Sequence, residues 1–265
     1  MALIVSREKV EYINDMLVKR EVIDNQCRAV SVTSLTLSLY ILGEVIRIKK
    51  LQTHLKILLP DIPEELAEVI FSDRRICNED YFEMGKISNC IIENQRAERV
   101  CFDKVIFKNV IFNKVNFSRL ELTNVIFVNC DLSNADFNEA IMHQVEIKNC
   151  KILGINLLGA TLRNVLFDNC YGDYATFCNA NCKQVKFHNS SLANADFYKS
   201  TLLHVHFSNS NLDQIQLSGT KLAGIDLTSC EFRQISVTIE DVQGCIVSPQ
   251  QAVGFSRLFG LIIKD

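Results

Sequence analysis

A spacing of five residues governs more than half of this chain. From Phe102 to Val237 every fifth residue can be marked without an insertion, which gives 28 positions. Twelve are Phe, ten are Leu and four are other large apolar residues, so Gly172 and Cys182 are the exceptions. A second series, two residues earlier, contains only Val, Ala, Cys, Ile, Ser, Leu and Thr. Residues two apart in an extended segment face the same way, so both series are predicted to point inward.

A period of five matches neither an α-helix nor a regular strand. It fits a chain that makes one short extended side, turns a corner and repeats. Seven asparagines follow one another at intervals of twenty residues, so every fourth corner is marked. This spacing predicts a coil of four sides in which the asparagines stack, at a rise of roughly 4.8 Å, as a ladder of hydrogen-bonded amides. The ladder comprises Asn89, Asn109, Asn129, Asn149, Asn169, Asn189 and Asn209.

The pentads resemble those of the pentapeptide-repeat proteins, in which a small residue and a polar residue precede Leu or Phe and two variable positions follow. The segments "ADF" at 135–137 and 195–197 and "ATF" at 175–177 match this motif closely. The resemblance covers more than half of the chain and implies a mainly β fold, a right-handed quadrilateral β-helix. Extending the register back to Phe82 gives about eight coils, or roughly 40 Å at the spacing of strands.

Three regions are predicted. Residues 1–76 lack the pentad and are expected to form an N-terminal α-helical domain, residues 77–247 form the β-helix, and residues 248–265 form a C-terminal capping helix and tail. The N-terminal region shows helical periodicity after Ser6 and over residues 44–58.

A third N-terminal helix is predicted to begin near Asp61. This residue is a suitable N-cap, and Pro63 and Glu64 would lie in the first turn. Such helices could cover the first coil, whose strand edges would otherwise be unpaired.

The C-terminal segment carries the signals of a short helix. Ser248 is the expected N-cap, Pro249 the first helical residue, and Gln251 the residue that completes a capping box. The helix and tail resemble the terminal helix through which the quinolone-resistance branch of the family dimerises. A helix that only caps the last coil is the alternative. A homodimer would use an apolar set consisting of Phe255, Leu258, Phe259, Leu261 and Ile262.

The sequence contains no constellation typical of an enzyme. No glycine-rich phosphate loop, nucleophile elbow or metal-binding helix motif is present. His188, His204 and His206 fall near one another in the predicted coil, but scattered surface histidines are common. We therefore expect a non-catalytic protein without a cofactor or a bound metal.

The eleven cysteines are predicted to be reduced and mainly structural. Cys101 and Cys178 fall at outward positions and are the better candidates for a reactive thiol. Five others occupy the small inward position of one side, where cysteine serves as a small buried residue. These five are Cys90, Cys130, Cys150, Cys170 and Cys230.

The search for targeting signals and the charge balance limit the cellular location and the classes of function expected for this chain. The first residues do not have the basic start of a signal peptide, and the longest uncharged stretch, residues 29–43, is too short to span a membrane. We expect a cytoplasmic, bacterial-type protein without membrane contact. Residues 101–237 carry twelve basic and twelve acidic side chains, so direct nucleic-acid binding is not expected either.

A stripe of apolar residues is predicted to face outward. Ile106, Ile126 and Leu166 occupy one outward position, which Glu146 interrupts. Exposed apolar stripes usually mark an interface. Cover by the N-terminal helices is the alternative.

These features predict a protein that binds a macromolecule. The family resemblance implies DNA gyrase or topoisomerase IV as the protein partner, because quinolone-resistance members are understood as rods with the shape of DNA. Two departures weaken this assignment: DNA carries about one negative charge per 1.7 Å whereas the coil is neutral, and the register has no insertion for a projecting loop. The alternative is a structural scaffold or a secreted effector whose N-terminal domain carries the specific activity.

Overall fold

The computed structural model describes residues 57–70 and 75–256, which fall in one compact unit, Leu55–Asp265. It confirms the mainly β architecture: the described chain winds into a four-sided parallel β-solenoid with one short helix near its C-terminal end. This part of the chain has no helix that is both long enough and apolar enough to cross a membrane.

Seven eight-residue strands define the coils, which we number 1 to 7. Each strand begins twenty residues after the previous one and pairs with it in parallel. Together with a two-residue strand, β1 (Ala67–Glu68), they form one sheet, whose long members are β2 (Tyr81–Ser88), β5 (Cys101–Lys108), β8 (Glu121–Val128), β9 (Ile141–Lys148), β10 (Thr161–Asp168), β11 (Asn181–His188) and β12 (Thr201–Ser208). Two pairs of short strands complete coils 1 and 2, namely β3 (Ile91–Glu93) with β6 (Ile111–Asn113), and β4 (Arg96–Glu98) with β7 (Asn116–Ser118).

Each coil has four sides, and each side has one large inward residue. In coil 2 the first side carries Phe102, the second Phe107, the third Phe112 and the fourth Phe117. Stacked partners differ by twenty residues, as in the pairs Phe102↔Leu122 and Phe107↔Phe127. The predicted four-sided register is therefore confirmed.

A residue in the left-handed conformation turns the chain at every corner. The angle φ is positive at every fifth residue from Glu79 to Gly224, which is thirty positions in succession. Asparagine is frequent among them because it tolerates this region better than most residues. The first corner, between the first and second sides, lies inside each eight-residue strand; the second to fourth corners follow in chain order.

The third and fourth corners of coils 3 to 7 are closed by an additional hydrogen bond. In coil 3 the Ala135 amide donates to the Leu132 carbonyl at 3.1 Å, and the Ala140 amide donates to the Phe137 carbonyl at 3.1 Å. A positive φ at the third residue of such a turn defines type II. Two of the four corners are therefore tight turns, and the sheet continues around the first corner.

The inward series forms the core. Of its 28 members from Phe102 to Val237, 26 are buried, and Leu202 and Phe232 are half-buried. Phenylalanines in neighbouring coils stack face to face, with ring centroids 4.7 Å apart for Phe167 and Phe187. This spacing matches the rise between strands, so the aromatic rings and the backbone ladders share one repeat.

Two predictions about the ends of the solenoid are corrected. Seven complete coils are present, where about eight were predicted. The unbroken series of left-handed corners ends at Gly224, since Ser229, Gln234 and Ile239 do not adopt positive φ, and Gly244 is the next corner that does. Residues 221–246 therefore contribute isolated bridges, such as Asp226↔Ile246, in place of an eighth long strand.

The helix predicted after Asp61 is also wrong. Residues 57–66 contain no helix, and Ala67–Glu68 forms β1, which pairs with Gly85 and Lys86 of β2. Leu59 and Ile62 each precede a proline, which disfavours helical backbone at both positions. The remaining helices of the predicted N-terminal domain lie outside the described residues and stay a prediction.

The predicted C-terminal helix is present as α1 (Pro249–Phe255). Ser248 is its N-cap, and the capping box with Gln251 is complete. The Gln251 side chain also donates to the Leu227 and Cys230 carbonyls, each at 2.8 Å. The helix thus satisfies the Cys230 carbonyl at the end of the solenoid and adds a second donor to the Leu227 carbonyl, which already accepts from the Cys230 amide.

Replacing Phe177 by Ala should lower the free energy of unfolding by about 3–5 kcal/mol, because it removes buried apolar area and leaves a cavity. Phe177 is fully buried and stacks on Phe197 with centroids 4.4 Å apart. Denaturant melting measures the change. Tyr174→Ala, at an exposed corner three residues away, is the matched control and should cost far less. A loss below about 1 kcal/mol for Phe177→Ala would contradict the assigned core.

Candidate interaction surfaces

The asparagine ladder lies at the second corner. All seven residues, Asn89 to Asn209, have positive φ. Side-chain amides donate to the asparagine of the preceding coil, as from Asn109 to Asn89 at 2.8 Å and from Asn169 to Asn149 at 2.7 Å. Asn129 donates to Asn109, and Asn209 to Asn189, each at 3.4 Å. The ladder joins neighbouring coils and therefore has a structural role.

Directly after this ladder, the small inward residues form a second hydrogen-bonded row. The Cys130 amide donates to Cys150 Sγ at 3.2 Å, and the Cys150 thiol donates to the Lys148 carbonyl at 3.1 Å. Serine does the same in coil 6, where the Cys170 amide donates to Ser190 Oγ at 3.1 Å. Sequence reasoning treated these cysteines as small apolar residues. The alternation of Cys with Ser at this position was the signal that polar pairing matters.

The outward cysteines are not activated thiols. Burial raises the pKa of Cys101 to about 11, with Glu121 and Asp103 adding to the effect. Burial also raises the pKa of Cys178 to about 11, assisted by a hydrogen bond with Asp196. Both groups are protonated at neutral pH, so the structure does not support the expectation of a reactive thiol at these positions.

Residues 57–61, the crossing segment, run along the first corner from coil 5 to coil 3. The Leu58 amide donates to Asn164 Oδ1 at 3.2 Å, and the Asp61 amide donates to Asn124 Oδ1 at 3.0 Å. Between them Gln144 Nε2 donates to the Leu59 carbonyl at 2.9 Å. Three stacked corner amides thus bind one extended segment of the same chain.

The predicted apolar stripe lies on the second side, next to this corner. Ile106, Ile126 and Leu166 are half-buried, and Glu146 is only 4% exposed and pairs with Lys148 at 2.6 Å. The stripe is therefore a less open surface than its sequence pattern indicated. Its role as an interaction site stays a prediction.

Of the predicted dimer contacts, the structure describes Phe255. Its ring packs edge-on against Phe232 at 6.0 Å between centroids, so it already contributes to the cap within the chain. Leu258, Phe259, Leu261 and Ile262 lie outside the described residues.

A set of large exposed side chains, which sequence reasoning missed, occupies the third and fourth sides of coils 4 to 6. We call it the tyrosine surface. Tyr171 and Tyr174 are each 63% exposed, and the other members are about 40% exposed. In the sequence, the signal for this surface was the presence of Tyr and Leu at outward and corner positions of the pentads. The tyrosine surface consists of Leu153, Leu158, Tyr171, Tyr174 and Tyr198.

Charge is unevenly distributed around the solenoid. Between residues 111 and 219 the third and fourth sides, with their corners, carry five Asp, one Glu, three Lys and one Arg, a net charge of −2. Between residues 101 and 208 the first and second sides carry six basic and four acidic residues, a net charge of +2. The neutral total found from the sequence therefore conceals an acidic half and a basic half.

The histidine group does not resemble a catalytic site. His188 Nδ1 is 2.9 Å from Ser208 Oγ. Burial lowers the pKa of His206, Lys186 lowers it further, and Asp226 opposes the shift. Across residues 57–70 and 75–256, no three His, Cys, Asp or Glu side chains gather as metal ligands would.

Comparison with known sequences defines the class of protein. The family model described as "Pentapeptide repeat region" matches residues 120–197 and 183–246. The YisX protein of Bacillus subtilis (strain 168) is 44% identical over 204 residues, which cover 77% of this chain and 96% of that protein. The chain belongs to the pentapeptide-repeat family.

Solved structures show a weaker likeness. A trypsin-treated form of QnrB1, a plasmid-mediated fluoroquinolone resistance protein, is 23% identical with a TM-score of 0.41, covering 76% of this chain and 100% of that one. HetL, a pentapeptide repeat protein involved in heterocyst differentiation regulation from the cyanobacterium Nostoc, is 15% identical with a TM-score of 0.31, covering 66% of this chain and 87% of that one.

Replacement of Cys150 tests the polar row. Cys150→Ser should be nearly neutral, because the hydroxyl can accept from the Cys130 amide and donate to the Lys148 carbonyl. Cys150→Ala should cost about 1–3 kcal/mol by leaving the buried Cys130 amide without its acceptor. Cys150→Phe should be worse still, because the position is fully buried.

Denaturant melting gives all three values. Cys178→Ala, at a half-buried outward position, is the matched control and should change stability by no more than about 0.5 kcal/mol. Equal stability of the Ser and Ala variants at position 150 would contradict the role of the row. A Cys130–Cys150 disulfide in protein purified without oxidant would contradict it as well.

Proposed function

We propose that this chain is a non-catalytic binding protein that presents one side of its solenoid to a macromolecular partner. The observation that supports this is the tyrosine surface, where five large side chains are exposed on a backbone already paired from coil to coil. Tyrosine is enriched in protein interfaces because it provides a large contact area at low entropic cost.

We propose a type II topoisomerase, DNA gyrase or topoisomerase IV, as the partner. The resemblance of the C-terminal helix and tail to the quinolone-resistance branch supports this choice. The excess of aspartate on the third and fourth sides adds support, because topoisomerases bind a strongly acidic polymer.

A structural scaffold is the second candidate, and the ion pairs between coils favour it. Arg119 pairs with Glu139 at 2.8 Å, Lys151 lies 4.0 Å from Asp131, and Arg233 pairs with Asp213. Such rows of mixed sign differ from the uniform charge of DNA. A scaffold would bind its partners without altering topoisomerase activity.

Plasmid supercoiling by gyrase, and relaxation by topoisomerase IV, separate the two candidates. Added at micromolar concentration, the full chain should inhibit the reaction or protect the enzyme from quinolone-induced DNA cleavage. Asp196→Lys, on the fourth side, should weaken the effect, because it places a positive charge on the acidic half. Asp226→Lys, at an exposed position of the second side, is the matched control and should not. No effect of the full chain on either enzyme would favour the scaffold.

We propose further that the C-terminal tail forms a homodimer, in which a two-fold axis brings the same apolar patch from two copies together. Phe259→Asp should dissociate the dimer, because it places an unpaired charge in an apolar contact. Light scattering measures the mass, and circular dichroism checks that the solenoid is still folded. Val253→Asp, on an exposed face of α1, is the control. A monomeric parent protein would leave α1 as a cap only.

A further inference from the structure

We infer that the tyrosine surface is a docking site for a basic protein segment, one in which Lys or Arg side chains alternate with apolar residues. This inference rests on the proposed binding function and adds the chemistry of the partner. It also assigns the contact to the third and fourth sides of coils 4 to 6, which is a different surface from the stripe of the second side.

The apolar part of the site is more open than the apolar stripe of the second side. Leu153 is 43% exposed and Tyr171 and Tyr174 are each 63% exposed, whereas Ile126 and Leu166 on the second side are half-buried. Leu158 and Tyr198 occupy equivalent positions on the fourth side, two coils apart, and Cys178 occupies the same position in the coil between them. Large apolar groups held open on adjoining sides form a surface on which a partner can bury area.

The position of the tyrosines is fixed by the fold. Tyr171 and Asp173 flank Gly172, the one glycine of the inward series. A methyl group there would come within about 3.0–3.1 Å of Ile152 and Leu192, so neighbouring coils fill the space of the missing side chain. Tyr171 is bridged to Lys151 below and Ser191 above, and Tyr174 occupies a left-handed corner. A surface held this way loses little backbone entropy when a partner binds.

The rim of the site is acidic and not neutralised. Asp136 accepts from Asn116 at 2.6 Å and from Asn156 at 2.8 Å. Asp173 accepts from Ser191 and from the Ala193 amide, and Asp196 accepts from the Tyr198 amide at 2.8 Å. Among the described residues none of these three carboxylates is in an ion pair.

The described residues place two cations on these sides of coils 4 to 6, and both are already engaged. Lys151 lies 4.0 Å from Asp131, and Lys199 lies over the Tyr198 ring at 5.0 Å. Within the described part of the chain, three negative charges around an apolar centre therefore remain without a cationic partner. Arg and Lys also stack favourably on tyrosine rings, which adds a second contact to the same occupant.

Other occupants fit less well. Nucleic acid and acidic peptides would meet the three aspartates with like charge. A second copy related by a two-fold axis would place the same acidic rim against itself. A basic segment with apolar anchors matches both the rim and the centre.

Fluorescence anisotropy with two labelled peptides tests the inference on the full chain at physiological ionic strength. The first peptide alternates Arg and Lys with Leu and Phe, and the second replaces every basic residue by Glu. The first should bind at least about tenfold more tightly than the second, because like charge opposes the acidic peptide. Equal binding of both peptides, or no binding of either, would overturn the inference.

Variants locate the contact. Tyr171→Ser combined with Tyr174→Ser should weaken binding of the basic peptide about tenfold or more, as expected for aromatic anchors. Tyr81→Ser is the matched control, because Tyr81 is 57% exposed on the first side of coil 1. Asp173→Asn should reduce the preference for the basic peptide. If the control and the double variant bind alike, the tyrosine surface is not the site.

The outcomes of this test and of the topoisomerase assay are separable. A chain that inhibits a topoisomerase, with the double tyrosine variant equally active, would refute the docking site and keep the proposed function. A chain without effect on topoisomerases that binds the basic peptide through Tyr171 and Tyr174 would refute the proposed enzyme partner and keep the docking site.

Discussion

The solenoid depends on one constraint, the left-handed corner at every fifth residue. Between Glu79 and Gly224 no such corner is omitted, and each returns the chain to a position where its amides and carbonyls meet those twenty residues away. Beyond Gly224, where Ser229 and Gln234 lack positive φ, the chain makes isolated bridges such as Gln216↔Ser236 and no further long strand. The packing of the core and the placement of exposed side chains on the surface both follow from this backbone geometry.

The core and its register could be predicted from the sequence because they obey a local rule. Phe177 and Phe187 both point inward because both belong to the series that recurs at every fifth residue without an insertion. The asparagine spacing also predicted the number of sides. The polar row behind the ladder was not predicted, because Cys150 pairs with backbone groups whose partners become visible only once coils are stacked. Periodicity identifies which residues are inside but does not show which of their polar atoms are satisfied.

The segment after Asp61 illustrates the opposite case. Its capping residue and acidic first turn are valid helix signals, yet the Asp61 amide donates to Asn124 of coil 3, and Ala67–Glu68 pairs with β2. Long-range contacts outweighed local preference there. The tyrosine surface was missed for a related reason. Tyr171, Tyr174 and Tyr198 occupy positions at which the repeat does not restrict the residue type. Only the stacking of coils shows that they share one region of the surface.

The crossing segment has a mechanical consequence. Successive coils of a solenoid touch only their neighbours, so tension on one end would ordinarily peel them away one at a time. Here the chain that enters at coil 1 is first bonded to coil 5 through Leu58, then to coil 4 through Leu59 and to coil 3 through Asp61. A pull from the N-terminal direction therefore loads the middle of the stack before its first turn. The hydrogen bonds from the three corner amides to this segment would therefore have to break before the coils could begin to unwind.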